Sequence, residues 1–560
     1  MEAIKIQNLK FTYRGAKDPT LNGINLDIKS GELVVIAGRA GSGKSTLCLT
    51  LNSIIPLFRA GRLWGEIEIF GRYIRRKPRV ADMVQLIGVL SQELEPQLGA
   101  TNVELEMAFG QENLGFDRDQ IRSGITDSLS KAGLAGFESR DTSTLSEGEK
   151  QRLAIASMMA LDPRILVVDG LLTDLDPAGK DTIFTTLNQR RRHGLTLVLV
   201  EDEIKRMLSA DRIVVLDEGK IVEQGRPEAV LSRVRFLKNN GIRPPQVALP
   251  FLTEEEGHLP LTPDQAYEAC QSRGWKIDQD KYTSLVHKER RRWEKGEPLI
   301  ETNNLVCAYP HRRVMERINL KVYKGEFLAI VGANGSGKTT LAQHLNGLLK
   351  PPKGEVVCFG EDTQVRGVAE ISQLIGYLFQ NPDRQISAPT VYEEAASGPR
   401  NIGLSEEETG SRVAEVLKLV SLSGYEDRIP SSLTRGERRR LALASVLAVS
   451  PMVLICDEPT TGLDFDGQKM IMDLLVRLNQ AGHTIIIITQ TMWLVAEYAH
   501  RVVILHEGGI IGDDTVRNIF AREELLARAS LDVPEIVQLG HRLGVTTLSA
   551  KEFNFCLRKQ

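Results

Sequence analysis

The strongest constraint on this chain is a glycine-rich loop that occurs twice. Both copies match the pattern G-x-x-x-x-G-K-[ST], at residues 38–45 and 332–339. Each follows an apolar run of strand length, Leu33–Ala37 or Phe327–Val331, and opens a Leu-rich helical stretch. In that setting backbone N–H groups surround phosphates, the lysine reaches the terminal phosphates, and the hydroxyl after it can ligate Mg²⁺. The two loops therefore predict binding of nucleoside triphosphates.

The loop residues expected to contact nucleotide are those that supply backbone N–H groups, the lysine and the hydroxyls. In the first copy they are Gly38, Gly41, Gly43, Lys44, Ser45 and Thr46, and in the second Gly332, Asn334, Gly335, Ser336, Gly337, Lys338, Thr339 and Thr340.

Composition narrows the class of protein further. At 560 residues, 42% of them hydrophobic and 26% charged, the chain is expected to be an ordinary globular protein of several domains. A formal net charge of −3 gives no reason to expect a nucleic-acid partner. The six cysteines form no C-x-x-C pair, which argues against structural zinc and disulfides and suits a reducing cytosol. No apolar run approaches the ~20 residues that span a bilayer and the first residues do not resemble a signal peptide, so any membrane part is expected on other chains.

The rest of the first half returns in the second half at a nearly constant spacing. The segment Leu145–Glu149 is echoed by Leu433–Glu437, and Arg164–Asp169 by Met452–Asp457, in both cases 288 residues later. A duplicated domain is therefore expected, with one copy at residues 1–245, a linker at 246–297 and the second copy at 298–560.

Hydrophobic patterning predicts the fold class of each copy. Short β-branched runs alternate with helical patterns, which is typical of an α/β fold with a parallel sheet flanked by helices. The opening strands of each copy alternate apolar and polar residues, which favours an antiparallel β subdomain beside that core.

The linker carries one predicted helix and one basic run. A helix is expected to begin at Thr262-Pro263-Asp264, with Pro in the first turn. Residues 287–295 hold five Lys or Arg side chains around acids and Trp293. Such a run could contact RNA or lipid headgroups, but we interpret it as a solvated helix face because acids are interleaved with the bases.

The order of the motifs resembles the nucleotide-binding domain of ATP-binding-cassette (ABC) proteins. In both halves a phosphate loop is followed by Leu-Ser/Thr-x-Gly-Glu, just before a predicted helix at 152–161 or 440–449, and then by four apolar residues and Asp. The resemblance implies ATP and Mg²⁺ as cofactors, a helical subdomain in each domain, and two domains that pair head to tail as an intramolecular pseudodimer. It also implies that the segments with Ser146 and Gly148, or Thr434 and Gly436, reach the γ-phosphate held by the other domain.

The resemblance assigns further roles to single residues. Tyr13 and Tyr309 are at the positions of the aromatic residue that stacks on adenine. Gln92 and Gln380 match the Q-loop glutamine, which contacts Mg²⁺ and senses a membrane partner. The implied metal-binding set is Ser45, Gln92 and Asp169 in the first copy and Thr339, Gln380 and Asp457 in the second.

The two copies diverge at the residues that hydrolysis needs. Asp457 is followed by Glu458, an acid that can orient and polarise the attacking water, whereas Asp169 is followed by Gly170. Aligned with family strands that end in T-H-D, the copies place Glu201 and Gln490 at the switch-histidine position. Gln490 could still bind a γ-phosphate, whereas Glu201 would be unfavourable there unless a cation intervened.

We therefore predict that the second phosphate loop serves a hydrolytic site and that the first binds ATP and mainly holds the closed pair. The predicted catalytic residues are Glu458, Gln490 and Lys338.

One segment narrows the resemblance within the family. Residues 379–401, beginning Phe-Gln-Asn-Pro-Asp-Arg-Gln, are similar to the extended Q-loop of energy-coupling-factor ATPases, which drive uptake of vitamins and of cobalt or nickel. The resemblance implies two partners, an integral membrane coupling protein and a separate substrate-binding membrane protein, with this chain peripheral on the cytoplasmic face of the cell membrane.

Two alternatives remain open on the sequence. A soluble tandem ABC ATPase that acts on the ribosome is permitted by the basic linker, although the Q-loop segment, the net charge and the one-sided loss of catalytic residues argue against it. A nucleotide-binding scaffold without useful turnover is permitted by the two missing histidines.

Overall fold

The computed structural model describes residues 1–74, 83–91, 97–171, 175–252, 259–292, 296–309, 312–352 and 354–558. These residues form two compact units, a first unit at Met1–Pro244 and a second unit at Pro245–Gln560. Among the described residues no helix is both long and apolar enough to cross a membrane.

The first unit is built on a six-stranded sheet with the order β10-β9-β3-β8-β7-β6, in which every neighbouring pair but β10–β9 is parallel. All five residues of β3 are buried, as expected for a parallel strand covered on both faces. A four-stranded antiparallel sheet, β2-β1-β4-β5, shares a hydrophobic core with it. The strands are β1 (Glu2–Tyr13), β2 (Leu21–Lys29), β3 (Leu33–Ala37), β4 (Gly61–Ile69), β5 (Arg72–Tyr73), β6 (Ile87–Leu90), β7 (Ile165–Asp169), β8 (Thr196–Val200), β9 (Arg212–Asp217) and β10 (Lys220–Gly225).

Three helices of the first unit, α3, α4 and α5, pack around a separate apolar cluster and form a helical subdomain. The helices are α1 (Lys44–Leu51), α2 (Ile54–Leu57), α3 (Val103–Asn113), α4 (Arg118–Lys131), α5 (Glu147–Ala160), α6 (Pro177–Arg192), α7 (Ile204–Met207), α8 (Pro227–Leu231) and α9 (Val234–Asn239), with a 3₁₀ turn at Thr142–Thr144.

The second unit repeats this topology. Its six-stranded sheet runs β17-β18-β19-β14-β20-β21 and its antiparallel sheet runs β13-β12-β15-β16, so the two units agree strand for strand. The strands are β11 (Lys276–Ile277), β12 (Pro298–Tyr309), β13 (Arg312–Tyr323), β14 (Phe327–Val331), β15 (Val356–Cys358), β16 (Glu361–Asp362), β17 (Ile375–Leu378), β18 (Val453–Asp457), β19 (Thr484–Ile488), β20 (Arg501–His506), β21 (Gly509–Thr515) and β22 (Leu557–Arg558). The predicted fold class, α/β with an antiparallel and a helical subdomain in each copy, is confirmed.

The helices of the second unit follow the same plan, and α14, α15 and α16 form its helical subdomain. The helices are α10 (Pro263–Ser272), α11 (Gln279–Arg292), α12 (Lys338–Leu345), α13 (Val368–Leu374), α14 (Val391–Asn401), α15 (Glu406–Leu419), α16 (Arg435–Leu447), α17 (Phe465–Gln480), α18 (Met492–Tyr498), α19 (Val516–Phe520), α20 (Glu523–Arg528), α21 (Glu535–Arg542) and α22 (Ala550–Cys556), with 3₁₀ turns at Gln246–Phe251, Pro382–Arg384 and Pro430–Ser432.

The segment 246–297, expected to link the two copies, packs as part of the second unit. Phe251 stacks on Trp275 with ring centroids 4.9 Å apart, and both rings belong to the core of that unit. β11 pairs with β22 near the end of the chain. The predicted helix start is confirmed, because Thr262 caps α10. The basic run begins within α11, and Trp293–Lys295 lies outside the described residues.

Candidate nucleotide-binding sites

The phosphate loop of each unit is closed by its own lysine. In the second unit Lys338 Nζ donates hydrogen bonds to the carbonyl oxygens of Gly332 at 2.8 Å and Ala333 at 2.9 Å. In the first unit Lys44 Nζ makes the equivalent bonds to Gly38 at 2.7 Å and Arg39 at 2.5 Å. The ammonium groups are thus positioned over the loops, where a bound phosphate can replace the carbonyl contacts.

Glycine is required at the first position of each loop for a steric reason. At Gly332 φ is 153°, and a Cβ atom there would lie 2.2 Å from the carbonyl oxygen of Leu505. At Gly38 φ is 141°, and a Cβ atom would lie 2.1 Å from the carbonyl oxygen of Leu216. A neighbouring strand therefore touches each loop from behind, and no larger residue fits.

A buried serine hydroxyl lies under each loop. Ser336 Oγ and Ser42 Oγ are buried, and within the described part of the chain neither has a hydrogen-bond partner. Each is close to where a Cβ of the loop's first glycine would be, at 2.7 Å for Ser336 and 3.2 Å for Ser42. Ser336 was predicted as a binding residue but Ser42 was missed, although their equivalent positions in the repeat could have identified it.

A hydroxyl and a carboxylate meet at the predicted metal position of the second unit. Thr339 Oγ1 donates a hydrogen bond to Asp457 Oδ2 at 2.8 Å. Tyr377 donates its hydroxyl proton to the same oxygen at 3.1 Å, a contact that sequence reasoning missed. Burial raises the pKa of Asp457, and the bonds from Thr339 and Tyr377 and the charge of Lys338 oppose that rise. Hard oxygen donors of this kind fit Mg²⁺.

The first unit keeps the same pair without the tyrosine. Asp169 is buried at the end of β7, and burial raises its pKa, whereas a hydrogen bond with Ser45 and the charge of Lys44 lower it. The residue equivalent to Tyr377 is Val89, in the matching strand of the sheet. Ser45 and Asp169 therefore also offer oxygen donors that fit Mg²⁺. The Asp169 carboxylate accepts one hydrogen bond fewer than that of Asp457, because valine has no hydroxyl to donate.

Glu458 follows Asp457 in a left-handed backbone conformation with φ of 47°. Its backbone N–H donates to the carbonyl of Ile488 at 2.9 Å, and its Oε2 accepts a hydrogen bond from Thr461 Oγ1 at 3.2 Å. The carboxylate is therefore held at the carboxyl end of the central strands, beside the metal position. Gly170 occupies the equivalent place in the first unit.

Strand register corrects the predicted switch position of the first unit by one residue. The N–H of Thr489 donates to Ile330 and that of Glu201 to Ile36, each at 3.3 Å, so Glu201 is equivalent to Thr489. Gln490 is therefore matched by Asp202, and the placement of Glu201 opposite Gln490 was wrong. The spacing between the copies remains 288 residues up to this turn and becomes 289 only in the helix that follows.

Gln490 lies against the phosphate loop of its own unit. Its side-chain amide donates a hydrogen bond to Asn334 Oδ1. The switch position therefore adjoins the loop, and Asp202 is exposed at the equivalent position of the first unit.

The Leu-Ser/Thr-x-Gly-Glu segments form helix N-termini. Ser146 caps α5 and Thr434 caps α16, each through a side-chain bond from a backbone N–H three residues on, at 3.3 Å. The helices begin directly after these caps, earlier than the predicted starts at 152 and 440, because Glu149 and Glu437 complete capping boxes. Gly148 and Gly436 lie in the first turns, where the positive end of the helix dipole favours an anion.

Of the remaining predicted residues, two are described by the structure and two are not. Tyr13 donates or accepts a hydrogen bond with Thr46 Oγ1 at 3.0 Å, and Gln380 is exposed two residues beyond β17. Gln92 and the side chain of Tyr309 lie outside what the structure describes.

The chain is similar in sequence to a known protein family. The sequence model of the family described as "ABC transporter" matches residues 21–172 and 315–461, more than half of the chain, and includes both phosphate loops and Glu458. The chain belongs to the ABC ATPase family. Its cofactors are ATP and Mg²⁺, and its activity is ATP hydrolysis.

Similar proteins carry related names. A protein of Caldanaerobacter subterraneus subsp. tengcongensis with the provisional name of ABC transporter ATP-binding protein is 44% identical over 99% of this chain and 99% of its own length. A protein of Bacillus cereus with the same provisional name is 32% identical over 96% of this chain and 95% of its own. The solved structure of cbiO1 from Clostridium perfringens, part of the ABC transporter complex cbiONQ, covers 43% of this chain and 97% of its own at 34% identity, with a TM-score of 0.38.

Proposed function

We propose that this ABC ATPase powers substrate uptake as the fused ATP-binding subunit of an energy-coupling-factor type transporter. The observation that carries the proposal is the extended Q-loop segment, residues 379–401, whose first part, 379–390, follows the edge strand β17 beside Asp457 and is hydrogen-bonded to the helical subdomain. Its sequence resembles that group of transporters, and its contacts suit a loop that passes a signal between a nucleotide site and a partner.

Those contacts fix both ends of the loop. Gln385 Oε1 accepts from the N–H of Phe379 at 3.3 Å, while its amide donates to the carbonyl of Ala442 in α16 at 2.8 Å. At the other end Glu394 of α14 accepts the N–H groups of Ser387 and Ala388 at 2.9 and 3.0 Å. Movement at the nucleotide site would therefore be transmitted through one short segment to the helices.

We further propose a division of labour between the two phosphate loops. In the second unit Lys338 binds the phosphates, Gln490 contacts the terminal phosphate, and Glu458 holds and polarises the attacking water. Thr339 and Asp457 would hold Mg²⁺, which would neutralise charge on the phosphates. Gln380 is proposed as a further residue that would contact Mg²⁺.

The first unit retains the groups that bind ATP but lacks the acid that would activate water. Lys44, Ser45 and Asp169 have the same arrangement as their counterparts, whereas Gly170 carries no side chain. We infer that this unit binds ATP without rapid turnover and that the two units serve as the intramolecular ABC pair that the family implies. The glycines and capped helix termini of both units complete the proposed nucleotide contacts.

The proposed partners are an integral membrane coupling protein and a separate substrate-binding membrane protein, with the chain peripheral on the cytoplasmic face. No nucleic-acid partner is proposed, because the net charge of −3 gives no overall electrostatic attraction to one.

The experiment that tests the proposal is purification of the affinity-tagged full chain from detergent-solubilised native cells, with its companions identified by mass spectrometry. Two small integral membrane proteins in near-equal amounts are the expected result. Ribosomal proteins without membrane proteins would favour the translation-acting class of tandem ABC ATPases and overturn the proposal. A Gln385→Ala chain, which frees the loop, is the matched variant and should retain fewer of the membrane companions than the unmodified chain.

A further inference from the structure

A buried arginine of α16 contacts both loops that carry proposed catalytic groups of the second unit. Arg439 is only 1% exposed. Its Nη1 donates a hydrogen bond to the carbonyl oxygen of Phe379 at 3.0 Å, and its Nη2 donates to that of Thr461 at 3.5 Å. Phe379 directly precedes Gln380, and Thr461 lies in the turn that begins at Glu458. One guanidinium group therefore joins two loops that are far apart in the sequence.

Thr461 holds the proposed catalytic acid through two contacts. Its Oγ1 donates to Glu458 Oε2 at 3.2 Å, and its N–H donates to the carbonyl oxygen of Glu458 at 3.4 Å. The remaining backbone group of Thr461, its carbonyl, is the one that Arg439 binds. A shift of Thr461 away from Arg439 would therefore move the carboxylate of Glu458 as well.

The backbone of Phe379 is held on both sides. Gln385 accepts its N–H at 3.3 Å, while Arg439 donates to its carbonyl oxygen. Gln385 in turn donates to the carbonyl oxygen of Ala442 at 2.8 Å, on the same helix as Arg439. The residue before Gln380 is thus fixed to α16 by two side chains.

Arginine suits this place, and the first unit has another residue there. A guanidinium group presents its donors in a planar fork and can hold separate carbonyl oxygens at once, and a buried cation is tolerated only where its donors are bonded. At the 288-residue spacing of the repeat the equivalent residue is Gln151, which is buried but neutral. The buried cation therefore occurs in the unit that has Glu458 and not in the unit that has Gly170.

The next arginine of the helix contacts a different region. Arg440 Nη1 donates to the carbonyl oxygens of Val420 and Ser421, both at 3.0 Å, within the helical subdomain. Its equivalent in the first unit is Arg152, which donates to the carbonyl oxygen of Gly133 at 3.5 Å. This contact is common to both units, so it does not follow the hydrolytic residues as Arg439 does.

We propose that Arg439 is a positioning residue for ATP hydrolysis in the second unit. By binding the carbonyl oxygens of Phe379 and Thr461 together, it fixes the two loops relative to each other. Gln380 on one loop and Glu458 on the other are thereby held in place for the same reaction. The inference rests on the proposed function, in which Glu458 activates the attacking water.

The test replaces Arg439 by its counterpart in the first unit. In the full chain, Arg439→Gln should lower kcat for phosphate release by about tenfold or more and change KM for ATP by less than about twofold, because the phosphate loop is untouched. Arg439→Lys keeps a buried cation without the fork, so it should remain folded with a kcat between those of the parent and Arg439→Gln. Arg440→Gln is the matched control one residue away, and it should leave kcat and KM close to the parental values. Thermal melting of each variant reports on folding.

A second measurement tests the path through Thr461. Thr461→Val removes the hydroxyl that donates to Glu458 but keeps the carbonyl that Arg439 binds. Because Arg439 would act by holding that hydroxyl on the acid, Arg439→Gln should lower kcat by less than about threefold in the Thr461→Val background.

Several outcomes would overturn the inference. These are a parental kcat in Arg439→Gln, or in Arg439→Lys where Arg439→Gln does not fold, an equal loss of kcat in Arg440→Gln, and effects of Arg439→Gln and Thr461→Val that multiply fully. Glu458→Gln is measured in parallel to separate the two levels of the argument. If that chain keeps its turnover, the proposed hydrolytic site is wrong and the inference falls with it. If Glu458→Gln is inactive and Arg439→Gln is unchanged, only the inference is wrong.

Discussion

Gly170 and Glu458 occupy one position of the repeated fold in one backbone conformation, with φ of 66° at Gly170 and 47° at Glu458. Each follows the buried aspartate that ends a central strand. Left-handed backbone costs glycine almost nothing, but a non-glycine residue in such a conformation costs about 1–3 kcal/mol. The second unit therefore keeps a strained acid, and the first has neither the strain nor the acid. Backbone strain that is retained where a glycine would relieve it indicates that the side chain has a function.

Two substitutions at Glu458 separate its chemistry from its strain. Glu458→Gln keeps the side-chain volume and the strain but loses the base, so phosphate release should fall by about a hundredfold or more while ATP binding persists. Glu458→Gly should be equally inactive, yet the second unit should gain about 1 kcal/mol of stability because the strain is removed. Steady-state phosphate release and thermal melting measure the two effects.

The first unit provides the matched control for this prediction. A chain that carries both Gly170→Glu and Glu458→Gln should not recover turnover, because the first unit has Asp202 where the second has Gln490. Recovery of phosphate release in that double variant, or a Glu458→Gln chain that keeps most of its activity, would contradict the proposed division of labour.

Tyr377 should affect the acid side of the pH–activity profile. Its hydroxyl donates to Asp457 and stabilises the carboxylate form, so Tyr377→Phe raises the pKa of Asp457 above the already raised value. Since Mg²⁺ requires the ionised carboxylate, the acid limb of ATP turnover should move to higher pH, and more Mg²⁺ should be needed for half-maximal rate.

The measurement is a set of turnover profiles from about pH 5 to pH 8 at several Mg²⁺ concentrations. Val89→Tyr in the first unit is the companion variant and should leave the profile of phosphate release unchanged. A Tyr377→Phe profile that is lower at every pH by the same factor would show a packing effect instead.

Much of each site could be predicted because its residues are local in sequence. The strands before the loops run over Leu33–Ala37 and Phe327–Val331, as expected, and the Gly, Lys and hydroxyl residues that follow act within one loop. Motif chemistry of that kind needs no knowledge of distant contacts.

The residues that sequence reasoning missed depend on distant contacts. Tyr377 reaches Asp457 across 80 positions of the chain, and nothing near Tyr377 distinguishes it from a core aromatic residue. The predicted alignment matched Gln490 with Glu201 instead of Asp202, an error of one residue, because the turns after β8 and β19 have no identical residues. Only the hydrogen bonds to β3 and β14 fix the register. Residues 246–297 were predicted to be a linker because the sequence shows which of their side chains are apolar. It does not show which unit those side chains pack against.

Glu201 should make the stability of the first unit depend on pH. Burial, with the charges of Glu203 and Asp202, raises the pKa of Glu201 from 4.5 to about 7. A pKa raised on folding adds stability that is complete below the unfolded value and is lost as pH rises through the folded value. The contribution of Glu201 should therefore decline between pH 4.5 and about pH 7.

Glu201→Gln removes this titration while the amide oxygen can still accept the N–H of Asp202 and Glu203. Relative to the unmodified chain, the melting temperature of the variant's first unit should rise between about pH 5 and pH 8. The exposed Glu112→Gln serves as the surface control for the same change of side chain. A constant difference for Glu201→Gln would contradict the prediction.

Tyr13 is the position at which an adenine-stacking role and a packing role can be distinguished. Its ring meets Phe11 edge to face at 4.8 Å and its hydroxyl bonds to Thr46, so the side chain is fixed beside the phosphate loop. Tyr13→Phe loses only the hydroxyl and should cost about 1 kcal/mol of stability with little change in affinity. If the ring stacks on adenine, Tyr13→Ala should weaken ATP binding to the first unit by about tenfold. Competition by inorganic tripolyphosphate, which has no base, should be unchanged in that variant. Equal weakening of both ligands would mean that Tyr13 supports the loop by packing alone.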